Sequence, residues 1–145
     1  MLNLTLPPFE YNLGKQNGMP VIFDVIRRKY VALTPEEWVR QHVIHYLIEK
    51  KQYPRTWMAV EKEIDLYGLK RRFDLVCYDK KSEPYLIVEC KAPTVALSQS
   101  VFDQVFRYNL VLAAPYVAIT NGVTHYCGRL NEDRTFSFLP DFPSF

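Results

Sequence analysis

The sequence predicts an α/β domain in which a mixed central sheet is flanked by helices. Two stretches of β-branched, aromatic and other apolar residues, Phe73–Tyr78 and Tyr85–Val88, surround a polar turn, which is typical of a β-hairpin. Helical periodicity precedes this hairpin at residues 34–51 and follows it at residues 97–112. The apolar run P-Y-V-A-I-T at residues 115–120 then has the character of a strand that a βαβ crossover delivers.

The segment before the first helix is predicted to be rich in β-structure. Phe9–Leu13 and Val21–Ile26 have strand composition, the second continues towards Val31, and G-K-Q-N-G lies between them as a turn. Gly14-Lys15 does not end a phosphate-binding loop, because Gln16 stands where such a loop needs Ser or Thr. We therefore expect residues 1–33 to form an N-terminal extension that contains a β-hairpin.

The first helix has a clear start signal in T-P-E-E. Thr34 suits the cap position, Pro35 suits the first turn, and Glu37 lies three residues after the cap, as in a capping box. The helical pattern then continues to about Lys51. His42 and His45 are spaced three apart on this helix without a carboxylate partner in the pattern, which favours a structural role for both.

The next predicted strand, Trp57–Leu66, carries three acidic side chains on one face. Glu61, Glu63 and Asp65 alternate along it, and a solvated strand face explains them better than membership of an acidic site.

The second helix, Leu97–Leu112, places Gln104 and Tyr108 one turn apart on the same side. Beyond the following strand, Asn121-Gly122 predicts a tight turn, and T-F-S-F-L near the carboxyl terminus predicts a final strand.

The central hairpin brings charged residues together. A turn centred on Lys81 and Ser82 gives an antiparallel register that pairs Tyr78 with Tyr85, Asp74 with Glu89, and Arg72 with Lys91. Opposed side chains have Cβ atoms about 5 Å apart. Two carboxylates at that separation repel each other unless a proton or a cation lies between them.

A divalent cation is the expected occupant of this pair. Hard oxygen ligands without nearby imidazole or paired thiolates suit Mg²⁺ or Mn²⁺ better than zinc. The alternative is that Asp74, Glu89 and Lys91 are solvated charges on a hairpin. Glu89 and Lys91 end the strongly apolar strand Y-L-I-V, however, which is typical of an interior strand that delivers polar groups at its end.

Composition limits the class of protein. The 145 residues are 48% hydrophobic and 23% charged, which indicates one globular domain without disorder. The formal charge of +2 is too small to identify a nucleic-acid-binding protein by itself, although the runs at 27–29, 50–51 and 70–72 are basic. The three cysteines are odd in number and lie in apparent strands, so we expect buried thiols in a cytoplasmic, non-membrane protein.

Four sequence segments together resemble a known superfamily. They are R-F-D-L-V-C-Y-D at 72–79, I-V-E-C-K-A-P at 87–93, F-D-Q-V-F-R-Y-N at 102–109 and A-I-T-N-G at 118–122. Their wording and order resemble the PD-(D/E)XK nucleases, and in particular the N-terminal nuclease domain of type I restriction enzyme R subunits and its stand-alone relatives. The resemblance implies a restriction-endonuclease-like fold within a single domain, with the extension at 1–33, a nuclease core at 34–128 and a C-terminal strand and tail at 129–145.

The resemblance also implies roles for individual residues. Asp74 and Glu89 would hold Mg²⁺ or Mn²⁺, with the main-chain carbonyl of Cys90 as a further ligand, and Lys91 would orient or deprotonate the attacking water. Gln104 and Tyr108 match a Gln-x-x-x-Tyr element that supports the site and the nucleic-acid backbone. Glu37 is the candidate for the carboxylate that the first helix contributes in many members, although capping already explains it.

Two functions remain open at this stage. The first is a metal-dependent DNA endonuclease, with RNA as the other substrate, that acts as a homodimer if it cuts both strands. The second is a catalytically silent nuclease-fold module that docks to nucleic acid or to a restriction complex.

Overall fold

The computed structural model describes residues 3–145 and shows two sheets and two α-helices. Met1 and Leu2, which the predicted extension includes, lie outside the described residues. A three-stranded antiparallel sheet comes first, with β1 at Leu13–Gln16, β2 at Met19–Asp24 and β3 at Lys29–Ala32. The extension therefore contains a third strand besides the predicted hairpin. The first strand also begins later than predicted, because the turn is formed by Asn17 and Gly18 alone.

The second sheet has six strands in the order β4-β5-β6-β7-β8-β9. The strands are β4 Met58–Leu66, β5 Leu69–Tyr78, β6 Pro84–Cys90, β7 Tyr116–Thr120, β8 His125–Leu130 and β9 Phe136–Leu139. Only the β6–β7 pair is parallel, and the helix α2 (Gln99–Leu112) makes the connection between them. The predicted mixed sheet and βαβ crossover are both confirmed.

The two helices pack on opposite faces of this sheet. The helix α1 (Pro35–Lys51) places Val39, Val43 and Leu47 in one core cluster with Ala118 of β7. Phe102 and Phe106 of α2 pack in another cluster with Val117 and Ile119, the neighbours of Ala118 along that strand. Because successive side chains of a strand point to opposite faces, α1 and α2 enclose β7 from both sides. Among residues 3–145, no helix is long and apolar enough to span a bilayer.

The start of α1 follows the predicted signal in one respect and departs from it in another. Thr34 caps the helix by accepting a hydrogen bond from the Glu37 N–H at 3.0 Å, and Pro35 occupies the first turn. The Glu37 side chain does not close a capping box, however, because its carboxylate is bonded to Arg27 and Gln41. The Glu37 carboxylate therefore binds Arg27 and Gln41 instead of capping the helix.

One residue pair predicted for the β5–β6 hairpin is wrong. Tyr78 pairs with Pro84 instead of Tyr85, since the register shifts at Cys77/Tyr78. The Asp79 carboxylate accepts hydrogen bonds from the N–H groups of Lys81 and Glu83, and this local turn displaces the pairing by one residue. The register of the rest of the hairpin, Leu75 with Val88, is the predicted one.

The three cysteines, Cys77, Cys90 and Cys127, are free and buried in strands, as expected.

Candidate active site

The structure brings Asp74 and Glu89 together where β5 and β6 leave their regular ladder. Leu75 pairs with Val88, so Asp74 and Glu89 are the next residues of the two strands in the same register. The Cys90 N–H donates a hydrogen bond to Asp74 Oδ2 at 2.7 Å, and the Asp74 N–H donates to Glu89 Oε1 at 3.4 Å. Each carboxylate is thus fixed by the backbone of the strand that carries the other.

The two carboxylates lie in an environment that disfavours their charge. Glu89 is only 7% exposed, and this burial, reinforced by the charge of Asp74, raises the pKa of its carboxyl to about 7. Burial also raises the pKa of Asp74, although the Cys90 N–H and the charges of Arg40 and Lys91 act in the opposite direction. The pair therefore carries more negative charge than its surroundings compensate, which favours a bound proton or cation.

Lys91 completes the group that the sequence predicted. It directly follows β6, and its N–H donates to the Thr120 carbonyl of β7 at 2.8 Å, which fixes the backbone beside the neighbouring strand. The positive charge of its ammonium opposes the rise in the pKa values of Asp74, Glu89 and Glu36, so the ammonium acts on all three carboxylates. One amine, the buried Glu89 and the half-buried Asp74 are thereby assembled where the end of β6 meets the middle of β5.

The acidic residue of α1 that faces this group is Glu36 and not Glu37. Burial and the nearby charge of Asp74 raise the pKa of Glu36, while Arg40 and Lys91 oppose that rise. The sequence analysis chose Glu37 by its position after the cap. In a helix, consecutive residues differ by about 100° in direction, so only one of these two acids can face the site.

Glu37 instead belongs to a compensated charge cluster, which we define as Asp24, Arg27, Glu37, Arg40 and Glu61. Arg27 Nη2 donates to Glu37 Oε1 at 2.6 Å, and the Arg27 guanidinium also pairs with Asp24. Arg40 Nε lies 3.3 Å from Glu37 Oε2, and both arginines lie 3.7 Å from a Glu61 carboxylate oxygen. Glu61 is therefore more than part of a wet strand face, because it joins this cluster and adds negative charge near Asp74.

A cleft of about 590 Å³ lies beside the site, between the N-terminal extension and the core. Arg27, Val31 and Ala32 of the extension line one side, and Glu36 and Arg40 of α1 are among the residues of the other. Ala92, the residue after Lys91, also lines it. The extension thus forms a wall next to the candidate active site.

Gln104 and Tyr108 belong to α2, which packs on the face of the sheet that carries Ile119, the register partner of Glu89. Together with Leu69, Arg107 and Val111 they line a cavity of about 320 Å³ between α2 and the start of β5. Arg71 links this cavity to the site, because its guanidinium lies 4.4 Å from the centre of the Tyr108 ring and its Nη2 lies 3.6 Å from Glu89 Oε2. Tyr108 therefore reaches Glu89 through a stacked arginine.

Three residues near the carboxylates were missed by sequence reasoning: Glu36, Arg40 and Arg71. Arg71 was counted only as part of a basic run, although its place two residues before Phe73 put it on the face that α2 covers. Arg40 gave no signal, since the approach of α1 to Asp74 depends on helix packing. Its Nη1 lies 3.5 Å from the Asp74 carbonyl oxygen.

The donor set fits a hard divalent cation. Asp74 and Glu89 offer carboxylate oxygens, on a half-buried side chain at Asp74 and a buried one at Glu89, and hard oxygen ligands of this kind suit such a cation. Within residues 3–145, no three side chains of His, Cys, Asp or Glu form a cluster that could hold a metal ion without other ligands. A metal would accordingly need main-chain or water oxygens. The Cys90 N–H donates its hydrogen bond to Asp74, whereas the group of Cys90 that is expected to bind the metal is its carbonyl oxygen.

The fold and the site define a class: an α/β domain with a mixed sheet in which one strand carries a half-buried Asp at its middle and the next strand ends with a buried Glu that a lysine follows. The family described as type I restriction enzyme R protein N terminus matches residues 35–143, and the chain belongs to this family. Comparison with curated proteins found no significant match. The matched region covers both helices and the six-stranded sheet, while the three-stranded extension lies before it.

Proposed function

We propose that this chain is a Mg²⁺- or Mn²⁺-dependent nuclease of the PD-(D/E)XK type that hydrolyses phosphodiester bonds of DNA in a restriction or defence context. The observation that carries the proposal is the position of the half-buried Asp74 beside the buried Glu89, with Lys91 acting on both. Membership of the restriction enzyme family supports the context and the choice of DNA over RNA. We also propose a cytoplasmic location on the same grounds.

Each residue has a distinct role in this proposal. Asp74 and Glu89 hold the cation together with the Cys90 carbonyl, and Lys91 orients the attacking water and offsets negative charge on the phosphate. The cation, when bound, supplies an acidified water and charge stabilisation for the nonbridging oxygens. Arg71 and Tyr108 keep the Glu89 carboxylate in place from the α2 side, and Gln104 supports the nucleic-acid backbone nearby.

The direct test is cleavage of plasmid and linear DNA in Mg²⁺ or Mn²⁺ by the full chain and by two variants, Asp74→Asn and Lys91→Met. We expect the wild type to cut and both variants to lose at least about a hundredfold in rate. Lys81→Met, at an exposed lysine in the turn of the same hairpin, is the matched control and should cut like the wild type. Equal cutting by wild type, Asp74→Asn and Lys91→Met would identify a contaminating nuclease.

A second candidate is a catalytically silent module that keeps this fold and binds nucleic acid or a restriction complex. Two observations favour it: the pairing of Arg71 with Glu89, and the lack of a three-side-chain metal cluster in the described residues. Titration with Mn²⁺ separates the two functions. Binding that disappears in Glu89→Gln supports the nuclease, whereas DNA binding without any metal site supports the module.

Cleavage of both strands by a domain of this size would require two copies. We therefore propose a homodimer on DNA, which light scattering with and without duplex would test. A monomer that only nicks plasmid would contradict it.

A further inference from the structure

The strands β4 and β5 continue beyond the six-stranded sheet as a two-stranded ribbon. The ladder between β5 and β6 runs from Leu75 to Tyr78, whereas β4 and β5 remain paired from Lys62 with Phe73 to Leu66 with Leu69. We call residues 62–73 the ribbon. From Asp74 to Leu69 the chain advances five residues, or about 17 Å at the usual rise of a strand. The ribbon therefore begins next to Asp74, one of the two candidate metal-binding acids, and extends away from it.

An aromatic side chain stands at the tip of the ribbon. Tyr67 is 98% exposed and has a φ of 53°, and Gly68 follows with a φ of 85°. Two consecutive positive φ values mark the two-residue hairpin turn that favours Asn-Gly or Asp-Gly. A bulky aromatic residue is disfavoured in this conformation and here gains almost no burial, so folding gives no reason for its presence.

A second two-residue turn, between β1 and β2, shows which residue type this geometry normally favours. Asn17 and Gly18 connect β1 to β2 with φ values of 52° and 76°, almost the same as those of Tyr67 and Gly68. Asn17 is the residue type that suits the position, and Tyr67 is not. The β1–β2 hairpin thus has a residue type that stabilises this turn, whereas the β4–β5 hairpin has an exposed aromatic residue at the same position.

Positive charge flanks the ring. The basic residues of the ribbon are Lys62, Lys70, Arg71 and Arg72, and its acidic residues are Glu63 and Asp65. The two acids are opposed across the strands to Arg72 and Lys70, which leaves Lys62 and Arg71 on the other face. Arg107 of α2 lines the cavity beside Leu69, close to that second face. This surface complements a phosphate backbone.

We propose that the ribbon is an arm that enters a groove of duplex DNA with Tyr67 leading, so that the flanking phosphates face Asp74 and Glu89. The major groove is about 12 Å wide and admits a two-stranded β-ribbon. Tyr67 contacts the bases, while Lys62 and Arg107 contact phosphates. The proposal rests on DNA as the ligand of the proposed function, but it does not require cleavage.

The test measures binding without turnover. Fluorescence anisotropy with the full chain in EDTA uses a labelled duplex several helical turns long and the corresponding single strand. Tyr67→Asn should weaken duplex binding at least about fivefold, the lower end of the range for loss of one aromatic contact with a base. It should leave the melting temperature unchanged or higher, because Asn suits the turn. Tyr67→Trp should retain binding, and Lys62→Gln should lower the dependence of log affinity on log salt concentration by about 1.

The matched control is Met19→Ala at the other hairpin, where Met19 is 65% exposed next to Asn17-Gly18 and should not affect binding. Unchanged duplex affinity in Tyr67→Asn, absence of duplex binding by the wild type, or equal loss in Met19→Ala would overturn the arm. A stronger effect on the single strand than on the duplex would overturn the assignment to a duplex groove. The two proposals can fail separately. If the wild type binds duplex DNA without cutting it, and Tyr67→Asn loses that binding, the result supports the arm and rejects the nuclease.

Discussion

Two groups of acidic residues differ in how their charge is compensated: the carboxylates around Glu37, and the pair formed by Asp74 and Glu89. Glu37 is almost completely buried, yet Arg27 and Arg40 both pair with it. Glu89 is buried to a similar extent and Asp74 to a smaller one, and their pKa values are raised because the nearby cations do not offset burial and the charge of neighbouring carboxylates. The first group has the properties of a structural ion-pair network and the second those of a ligand site.

Adjacent residues on α1 show the same contrast. Glu37 points to the arginines of the compensated cluster, while Glu36 is coupled to Asp74 and Lys91. Residue type and spacing do not separate these two acids. Their partners do, and substitutions at each should therefore have different consequences.

The largest expected effect is on stability, from Glu37→Ala. It removes the closer of the two carboxylates that contact both Arg27 and Arg40 and leaves their longer contacts with Glu61, and breaking such a buried pair costs about 3 kcal/mol in the free energy of unfolding, the lower end of the usual range. Urea denaturation measures this change, and Glu132→Ala, at an exposed site in a turn, should stay within about 0.5 kcal/mol of the wild type. A Glu37→Ala protein that is as stable as the wild type but no longer cleaves DNA would instead place Glu37 in the active site.

Asp74→Asn should behave in the opposite way. The amide oxygen can still accept the Cys90 N–H, and one of two repelling charges is removed, so the protein should be as stable as the wild type near pH 7. A hundredfold excess of Mg²⁺ over its dissociation constant should stabilise the wild type by about 2.7 kcal/mol, and Asp74→Asn should lose this gain. Thermal melts with and without Mg²⁺ test both statements, and equal Mg²⁺ shifts in the two proteins would contradict them.

Glu89 should make stability depend on pH. Its pKa is raised from 4.5 to about 7 in the folded protein, so the folded state binds the proton more tightly than the unfolded state. This favourable contribution is complete below about pH 4.5 and is lost as the pH rises to about 7. Glu89→Gln, measured in EDTA, should remove this loss and be more stable above pH 7 by on the order of 2–3 kcal/mol. Parallel stability curves for the two proteins from pH 4.5 to 8 would refute the raised pKa.

The smallest expected effect is that of Glu36→Gln. Since Glu36 is half-exposed and acts on Lys91 and Asp74 only through its charge, its removal should slow DNA cleavage by about tenfold without a change in the urea midpoint. Glu49→Gln, an exposed acid near the other end of α1, is the control. An effect on cleavage as large as that of Asp74→Asn would place Glu36 among the ligands.

Local patterns were sufficient to predict most elements. The capping signal at Thr34, the alternating apolar strands and the crossover into β7 each depend on neighbours a few residues apart, and all three appear as predicted. The hairpin register near Asp74 was also predictable, because antiparallel pairing fixes which residues are opposed once the turn is known. The Tyr78–Tyr85 pair was wrong since a side chain, that of Asp79, reorganised the turn.

The sequence by itself determined the mixed α/β order, the placement of Asp74 opposite Glu89 on neighbouring strands with Lys91 two residues after Glu89, and the family resemblance that residues 35–143 confirm. Only the tertiary structure decided which acid of α1 faces that group, which arginines neutralise Glu37, and that the N-terminal extension lines the cleft. The physical reason is that strand pairing is set by local alternation and register, whereas charge compensation depends on distances between elements that are remote in the chain.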